Sequence, residues 1–192
     1  MVVNLLKAVD MYKTLPINTS KITEAIALLL KLHQKPMILS QLLKMMYFVD
    51  RLSLAQTNYS LSNDSYLGKQ SGLMPKYIPD LVLELQTQGI LSKSSGGQGY
   101  IALQRDVAIA TLSSLEIENI TRVYQQKKSV NPFNLLDWNY DLEFIKNHVK
   151  TKRTILITPL DVMSSLGKTK AEMQIYLTSQ STQNQSKSLS AA

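Results

Sequence analysis

The chain has 192 residues, of which 44% are hydrophobic and 18% are charged, and its formal net charge is +7. This length and hydrophobic content predict one folded domain with a sizeable core. The chain contains no cysteine, so disulfide bonds, cysteine-based zinc sites and thiol catalysis are excluded.

The positive charge suggests an anionic partner, either nucleic acid or an acidic protein surface, but the excess is small and spread along the chain. The densest basic group lies within residues 146–153, and we interpret it as a solvated face, with a weak nucleic-acid contact as the alternative.

The lack of cysteine fits a reducing cytoplasm. The first residues, "MVVNLLKAVDMYK", do not read as a signal peptide. Because no apolar run approaches the ~18 residues that a membrane span needs, we expect a cytoplasmic protein with no membrane partner.

Residues 1–18 are predicted to form a short N-terminal segment. The stretch "TSKITEAIALLLKLH" has apolar residues at helical spacing, and Thr19 or Ser20 is placed to cap the helix. A second helix is predicted from a cap at Ser40 to about Ala55. Because this helix is apolar over most of its circumference, it should be buried at the centre of the domain.

The polar stretch "QTNYSLSNDSYLGKQSGLMPK" is predicted to be a loop that includes a strand at "YLGK". The next helix, "IPDLVLELQTQG", has Pro79 in its first turn and Gly89 at its end. Two β-prone runs in "ILSKSSGGQGYIALQ" then predict a hairpin around a glycine-rich turn. A phosphate-binding loop at "GGQG" is the disfavoured alternative, because β-prone residues follow it instead of a helix N-terminus.

The stretch "TLSSLEIENITRVYQQK" predicts a helix with a capping box formed by Ser113 and Glu116. Further helices are predicted around residues 141–149 and within "ITPLDVMSSLG". We therefore expect a mainly α fold with a small β-hairpin (α+β), built on a buried central helix, with the elements in a winged-helix-like order. The predicted divisions are the N-terminal segment 1–18, a domain at 19–153, a C-terminal extension at 154–178 and a disordered tail at 179–192.

The sequence offers no recognisable catalytic, cofactor-binding or metal-binding set. The only histidines, His33 and His148, have no second imidazole at ligand spacing, and no P-loop or zinc-protease motif occurs. We expect a protein that is not an enzyme and uses no cofactor, with an enzyme of unrecognised type as a minor alternative. The winged-helix-like order raises DNA binding as another alternative, but Asp80 and Glu84 on the candidate recognition helix would face phosphates unfavourably.

The stretch "KMMYFVDRLSL", together with its surroundings, resembles the Panacea family, also called SocA-like antitoxin domains. Family members show a lysine, two apolar residues and Tyr-Phe-x-Asp, which corresponds here to the segment from Lys44 through Tyr47 to Asp50. Asp64 and Tyr66 match a later Asp-x-Tyr. Further on, "SGLMPKYIPDLVLEL" is similar to the family's Gly-Pro-x-Pro segment. Its matching residues are Gly72 and Pro75, while Leu73 replaces the first proline.

The resemblance extends over about residues 20–150 and is weaker in its second half. The helix "LSSLEIENITRVYQQ" is similar to the family's Leu-Ser-x-x-Glu helix, and Trp138 is present without the family's preceding histidine. The family has no established enzymatic activity, and its domains mostly act as antitoxins that bind and neutralise a partner toxin. The resemblance therefore implies a protein-binding module, a cognate toxin as partner, and no cofactor.

Two roles are open for the polar residues of the central helix. Lys44, Tyr47 and Arg51 share one helical face, since they are spaced i, i+3 and i+7. On the first interpretation this face packs under the loop at 57–75, with the Tyr47 hydroxyl on a loop carbonyl, and Asp50 either accepts loop N–H groups or pairs with a lysine or arginine. On the second, the three residues form part of a surface for the partner protein, because tyrosine and arginine are favoured anchors.

Overall fold

The structure is a computed structural model that describes residues 17–69, 71–92, 99–134, 138 and 154–179. Three predictions fall wholly or mostly outside these residues: the N-terminal segment, the helix around 141–149 and the tail. The described helices are α1 (Thr19–His33), α2 (Leu39–Thr57), α3 (Ile78–Thr87), α4 (Ser114–Lys127), α5 (Pro159–Ser165) and α6 (170–179). The strands are β1 (Met37–Ile38), β2 (Tyr66–Lys69), β3 (Gly72–Pro75), β4 (Tyr100–Ile101) and β5 (Ile155–Ile157).

The central helix α2 is buried, as its apolar circumference predicted. It packs against α1, α4, α5 and strand β3, and its buried face continues from Leu42 to Leu54. The helix begins at Leu39 without a side-chain cap, so the predicted cap at Ser40 is wrong. Strand β1 leads directly into it, and the Leu39 N–H donates to the Gly99 carbonyl instead (2.9 Å).

The other helix ends follow local chemistry more closely. Helix α1 ends at His33 as predicted, but it begins at Thr19, and its cap is Asn18 instead of Thr19 or Ser20. Oδ1 of Asn18 accepts the Lys21 N–H (3.3 Å). In α3, Pro79 lies in the first turn and Gly89 follows the helix end with φ 66°, as predicted. Helix α4 has both hydrogen bonds of its predicted capping box.

Two small antiparallel sheets flank the helices. In the first, β1 pairs with β4, with Met37 opposite Ile101. The predicted hairpin is present as an antiparallel bridge between Leu91 and Leu103, although its turn at 93–98 lies outside the described residues. The order α1, β1, α2, α3 and hairpin is the winged-helix-like order expected from the sequence.

In the second sheet, β2 and β3 come from the segment between α2 and α3, β5 comes from the segment after α4, and the strand order is β3-β2-β5. The strand at "YLGK" is confirmed as β2, but β3 was predicted to be loop. Gly72 begins β3 with φ 102°, a backbone conformation that glycine adopts readily and that fits the tight turn after β2. The inner face of the sheet carries Tyr66, which is opposite Pro75 on one side and Ile157 on the other.

The segment predicted as a C-terminal extension contributes to the same core. Strand β5 pairs with β2, and the core includes Ile157, Val162, Met163 and Tyr176. The short helix in "ITPLDVMSSLG" is confirmed as α5. Helix α6 was not predicted, although Thr169 and Glu172 form a capping box just before it. The described chain is thus mainly α with a small β part, and none of its helices has the length and hydropathy of a membrane span.

Candidate functional site

Asp50 lies at the centre of a buried polar cluster between α2 and the loop that follows it. Its side chain is 1% exposed. Oδ1 accepts hydrogen bonds from the Ser60 hydroxyl and the Ser62 N–H, both at 2.9 Å. Oδ2 accepts from the hydroxyls of Ser62 and Tyr66. The loop therefore folds around this carboxylate, which is the role that the first interpretation assigned to Asp50.

Burial dominates the electrostatics of this cluster. Removal from water raises the pKa of Asp50, although the hydrogen bonds from Ser62, Tyr66 and Ser60 oppose the shift. Burial and the neighbouring Asp50 carboxylate raise the pKa of Tyr66 in turn, which keeps its hydroxyl protonated as a donor. The motif in the sequence includes Tyr66, but it did not identify Ser60 and Ser62 as partners. Their S-x-S spacing in "YSLSND" was the available signal.

Asp64 extends the polar cluster to the start of α3. Its carboxylate is 0% exposed and accepts the N–H groups of Tyr77 and Ile78 at 3.0 Å. The first N–H groups of a helix have no acceptor within the helix, so the Asp64 carboxylate supplies one here and fixes where α3 begins. Burial raises the pKa of Asp64 to about 6, with the Asp50 carboxylate adding to the shift and the two N–H groups opposing it.

Gly72 and Pro75 serve the hairpin that brings Asp64 to α3. Gly72 pairs with Lys69 at the tight end, and Pro75 pairs with Tyr66 at the other end. Directly after Pro75, the Lys76 N–H donates to the Ser65 carbonyl (2.8 Å) and returns the chain towards the Asp64 carboxylate. Both motif residues are buried, so their role in the described structure is to shape this connection.

Tyr47 packs its ring inside the domain, as the first interpretation expected. The ring meets Tyr66 edge to face with 5.0 Å between ring centroids, and it meets Phe48 at 5.2 Å. Aromatic pairs favour this geometry because the positive ring edge faces the negative ring face. The proposed hydrogen bond from the Tyr47 hydroxyl to a loop carbonyl stays a prediction.

Lys44 joins α2 to the segment after α4. Its side chain is buried, and its ammonium donates to the Pro132 carbonyl and lies 5.5 Å from the centroid of the Trp138 ring. Burial lowers the pKa of Lys44, because the charged form loses its hydration. The ring of Trp138 also stacks on Phe48, with centroids 5.8 Å apart.

Lys127 supplies a second cation at this aromatic group. Its ammonium lies 4.5 Å from the Phe48 centroid and donates to the Trp138 carbonyl (3.2 Å). Burial, and then the charge of Arg51, lower the pKa of Lys127. Lys127 was not singled out from the sequence, since nothing in its local pattern marks it as different from other helical lysines.

Exposure limits which motif residues a partner protein can reach. Lys44 and Tyr47 are both 2% exposed, so a protein that docks on this structure cannot contact their side chains to any extent. Arg51 is partly exposed. A contact between the partner and the motif residues stays a prediction, and the described contacts give them a structural role.

Within the described ranges, no three His, Asp or Glu side chains are grouped so that they could hold a metal ion.

Comparison with known proteins agrees with the motif. The model of the family described as antitoxin SocA-like, Panacea domain, matches residues 42–144. Neither curated proteins nor solved structures gave a match. The matched region covers more than half of the chain and contains Asp50, Asp64 and Tyr66, the three side chains around which the loop and hairpin fold. The chain therefore belongs to the antitoxin SocA-like Panacea domain family.

Proposed function

We propose that this protein is an antitoxin that neutralises a partner toxin by binding it directly, in the cytoplasm and without chemistry of its own. Membership of the antitoxin-like family is the observation that carries this proposal. Binding would block the toxin by covering its active surface. The protein's positive net charge favours a toxin with an acidic surface near the contact.

The geometry of the motif supports a binding function over a catalytic one. All four hydrogen bonds that Asp50 accepts come from the protein's own loop and hairpin. Both oxygens of this buried carboxylate are engaged in holding the fold. Exposed side chains are then better placed than the buried motif residues Lys44, Tyr47 and Asp50 to contact another macromolecule.

The proposal is tested by expressing this protein with the product of an adjacent reading frame that is toxic when expressed alone. We expect growth to be restored and the two proteins to elute as one complex from a size-exclusion column. Restored growth without a complex would argue against direct binding. No rescue, together with no complex between the purified proteins, would contradict the antitoxin function itself.

A winged-helix-like DNA regulator is the second candidate, because β1 pairs with β4 beside a hairpin that follows α3. The exposed positions of α3 include Asp80, Leu83 and Glu84, and two carboxylates with a leucine make a poor surface for a phosphate backbone. An electrophoretic shift assay with promoter DNA over a salt series decides this point. Absence of any shift at low salt would eliminate the candidate, since even non-specific binders hold DNA there.

A further inference from the structure

The segment that follows α4, residues 128–134, presents a phenylalanine to solvent. Among the large apolar side chains that the structure describes, Phe133 is the most exposed, at 66%. Single exposed apolar residues are common on protein surfaces, so exposure alone gives Phe133 no role. A role is indicated by the way in which the domain holds this segment.

Two side chains of the central helix α2 hold the segment against the domain. Gln41 and Lys44 are three residues apart, so they lie on the same side of the helix. The Gln41 amide donates to the Lys128 carbonyl (3.2 Å), and the buried Lys44 ammonium donates to the Pro132 carbonyl. The first contact fixes the start of the segment, and the second fixes the residue directly before Phe133.

The turn around Phe133 is closed by further hydrogen bonds. The Phe133 N–H donates to Asn131 Oδ1 (2.9 Å), and the Asn134 N–H donates to the Asn131 carbonyl (3.1 Å). The same carbonyl accepts the indole N–H of the buried Trp138 (2.9 Å). Because the backbone of this turn is already fixed in the free protein, Phe133 would lose little conformational entropy when it binds another molecule.

Lys128 adds a positive charge to the segment that presents Phe133. Its side chain is exposed, its ammonium contacts the neutral amide oxygen of Gln125 (2.7 Å), and none of the ion pairs among the described residues includes it. A cation in this position attracts an acidic group on a partner.

A protein suits this surface better than a nucleic acid does. Binding to nucleic acid relies on several cations along the phosphate backbone. The neighbouring Lys127 is not available for that purpose, because its ammonium lies against the Phe48 ring and donates to the Trp138 carbonyl. One aromatic ring with one available cation instead fits an apolar pocket that has a carboxylate at its edge.

We propose that Phe133 is the anchor with which this protein docks on its partner toxin, and that the toxin offers an apolar pocket for the ring and a carboxylate that pairs with Lys128. The proposal rests on the proposed antitoxin function and assigns a surface to it. Aromatic side chains are enriched at the centres of such interfaces. Lys44 of the family motif is then a positioning residue, since it fixes the turn that presents Phe133 and does not touch the partner itself.

The test measures the affinity of purified variants for the purified product of the adjacent toxic reading frame, together with their urea unfolding. Phe133→Ala removes the ring, and its matched control is Leu83→Ala, which removes an apolar side chain that is 58% exposed on α3. Lys128→Glu reverses the charge beside the ring. Its matched control is Lys76→Glu, which changes the net charge equally at an exposed lysine before α3.

We expect Phe133→Ala to weaken binding at least tenfold and Lys128→Glu at least fivefold, while both controls bind as the wild type does. All four substitutions are at exposed positions, so the urea midpoints should stay close to that of the wild type.

A further variant, Lys44→Met, separates positioning from a purely structural role. It keeps most of the buried aliphatic chain and removes the donor to the Pro132 carbonyl. We expect it to weaken binding at least threefold in the wild-type background and to cause no further loss in the Phe133→Ala background. A lysine that only stabilises the fold would change the affinity of the folded protein in neither background. If Lys44→Met fails to fold, the Phe133 and Lys128 variants decide.

Four results would overturn the proposal. If Phe133→Ala binds as the wild type does, Phe133 is not the anchor and the antitoxin function stands. If only Leu83→Ala loses affinity, the partner docks on α3. If Phe133→Ala leaves the affinity for the toxin unchanged but converts a dimer of the free protein to a monomer, or weakens a DNA shift, the ring serves a second copy or a nucleic acid. If the wild type does not bind the toxic product, the proposed function falls and this proposal falls with it.

Discussion

At the scale of single residues, the chain places its family motif where it organises the interior. Asp50 is separated from its three partner residues by 10 to 16 positions in sequence. A buried carboxylate without such partners would carry a large desolvation cost, so the loop must close around it for the domain to be stable. The motif residues therefore stabilise the fold. Any effect of their substitution on partner binding has to be separated from an effect on stability.

The first prediction concerns Asp50→Ala. Removing the carboxylate leaves the hydroxyls of Ser60, Ser62 and Tyr66 without their acceptor, which should lower the free energy of unfolding by about 3–5 kcal/mol. Urea unfolding followed by circular dichroism measures this loss. Asp80→Ala, at an exposed position on α3, is the control and should cost less than about 1 kcal/mol. Equal losses for the two variants would contradict the structural role of Asp50.

The second prediction concerns pH. Because the folded state raises the pKa of Asp64 to about 6 from a usual value of 3.8, the folded state binds a proton more tightly than the unfolded state does. The contribution of Asp64 to stability is therefore full below pH 4 and is lost as the pH rises from 4 to 6, by about 3 kcal/mol at most.

Asp64→Asn should remove this loss, because the amide does not titrate and still offers an oxygen to the N–H groups of α3. We expect the difference in unfolding free energy between Asp64→Asn and the wild type to shift in favour of the variant as the pH rises from 4 to 7. Urea unfolding at several pH values measures this difference. A constant difference over that range would show that Asp64 does not titrate there.

At the scale of elements, several helix ends follow short-range rules, while strand pairing does not. Capping boxes at Ser113 and Thr158 and the proline at the start of α3 lie within a few residues of the helix ends they define. Strand β2, in contrast, pairs with β5 from some 90 residues further along the chain. A strand of four residues contains too little pattern to reveal whether it has one neighbour, two or none.

The third prediction tests the contact between β2 and β5 at Gly68. This residue does not have a positive φ, but a Cβ atom added to it would lie 2.8 Å from Cγ1 of Ile155. The close approach of β5 therefore explains the glycine. Gly68→Ala should lower the free energy of unfolding by about 1–3 kcal/mol.

A double-mutant cycle with Ile155→Ala makes the test specific. The combined variant should lose at least about 1 kcal/mol less than the sum of the single losses, because Ile155→Ala removes the atom that the new methyl group would strike. Thermal or urea unfolding gives all four values. Simple additivity would mean that β5 does not lie against Gly68.

At the scale of the whole molecule, residues 154–179 pack into the same core as the described part of the matched family region. Helix α5 packs on the central helix α2, and the Tyr176 hydroxyl donates to Asn63 Oδ1 (3.2 Å). Both Val162 and Met163 lie within the hydrophobic core. An extension that only trailed the domain would leave these side chains exposed, so the extension completes the core.

The fourth prediction is that a chain ending at residue 153 does not fold stably. It lacks several buried side chains, among them Ile157, Val162, Met163 and Tyr176, and each of these four is worth about 1.5–3 kcal/mol. Their loss approaches the total stability of a typical domain, about 5–15 kcal/mol. Circular dichroism and urea unfolding of the truncated chain measure the effect. A cooperative transition at the wild-type midpoint would show that residues 19–153 fold independently of the C-terminal extension.

The sequence by itself determined the positions of the main helices, the burial of α2 and the family motif. The helix positions and the burial of α2 depend on spacings of three to seven residues, over which side-chain periodicity and capping act, while the motif was identified by its resemblance to the family. The motif also contains Asp50, Asp64 and Tyr66 of the buried polar cluster, but it does not include Ser60 and Ser62.

Only the tertiary structure decided what those residues contact. Lys44 donates a hydrogen bond to Pro132, 88 positions away in the sequence. Strand β1 pairs with β4, and side chains of residues 157–176 enter the core beside α2. Many partners are chemically acceptable for one lysine or one short strand. The choice among them is made by the joint requirement that every apolar face be buried and every buried polar group be paired, and that requirement acts on the folded chain as a whole.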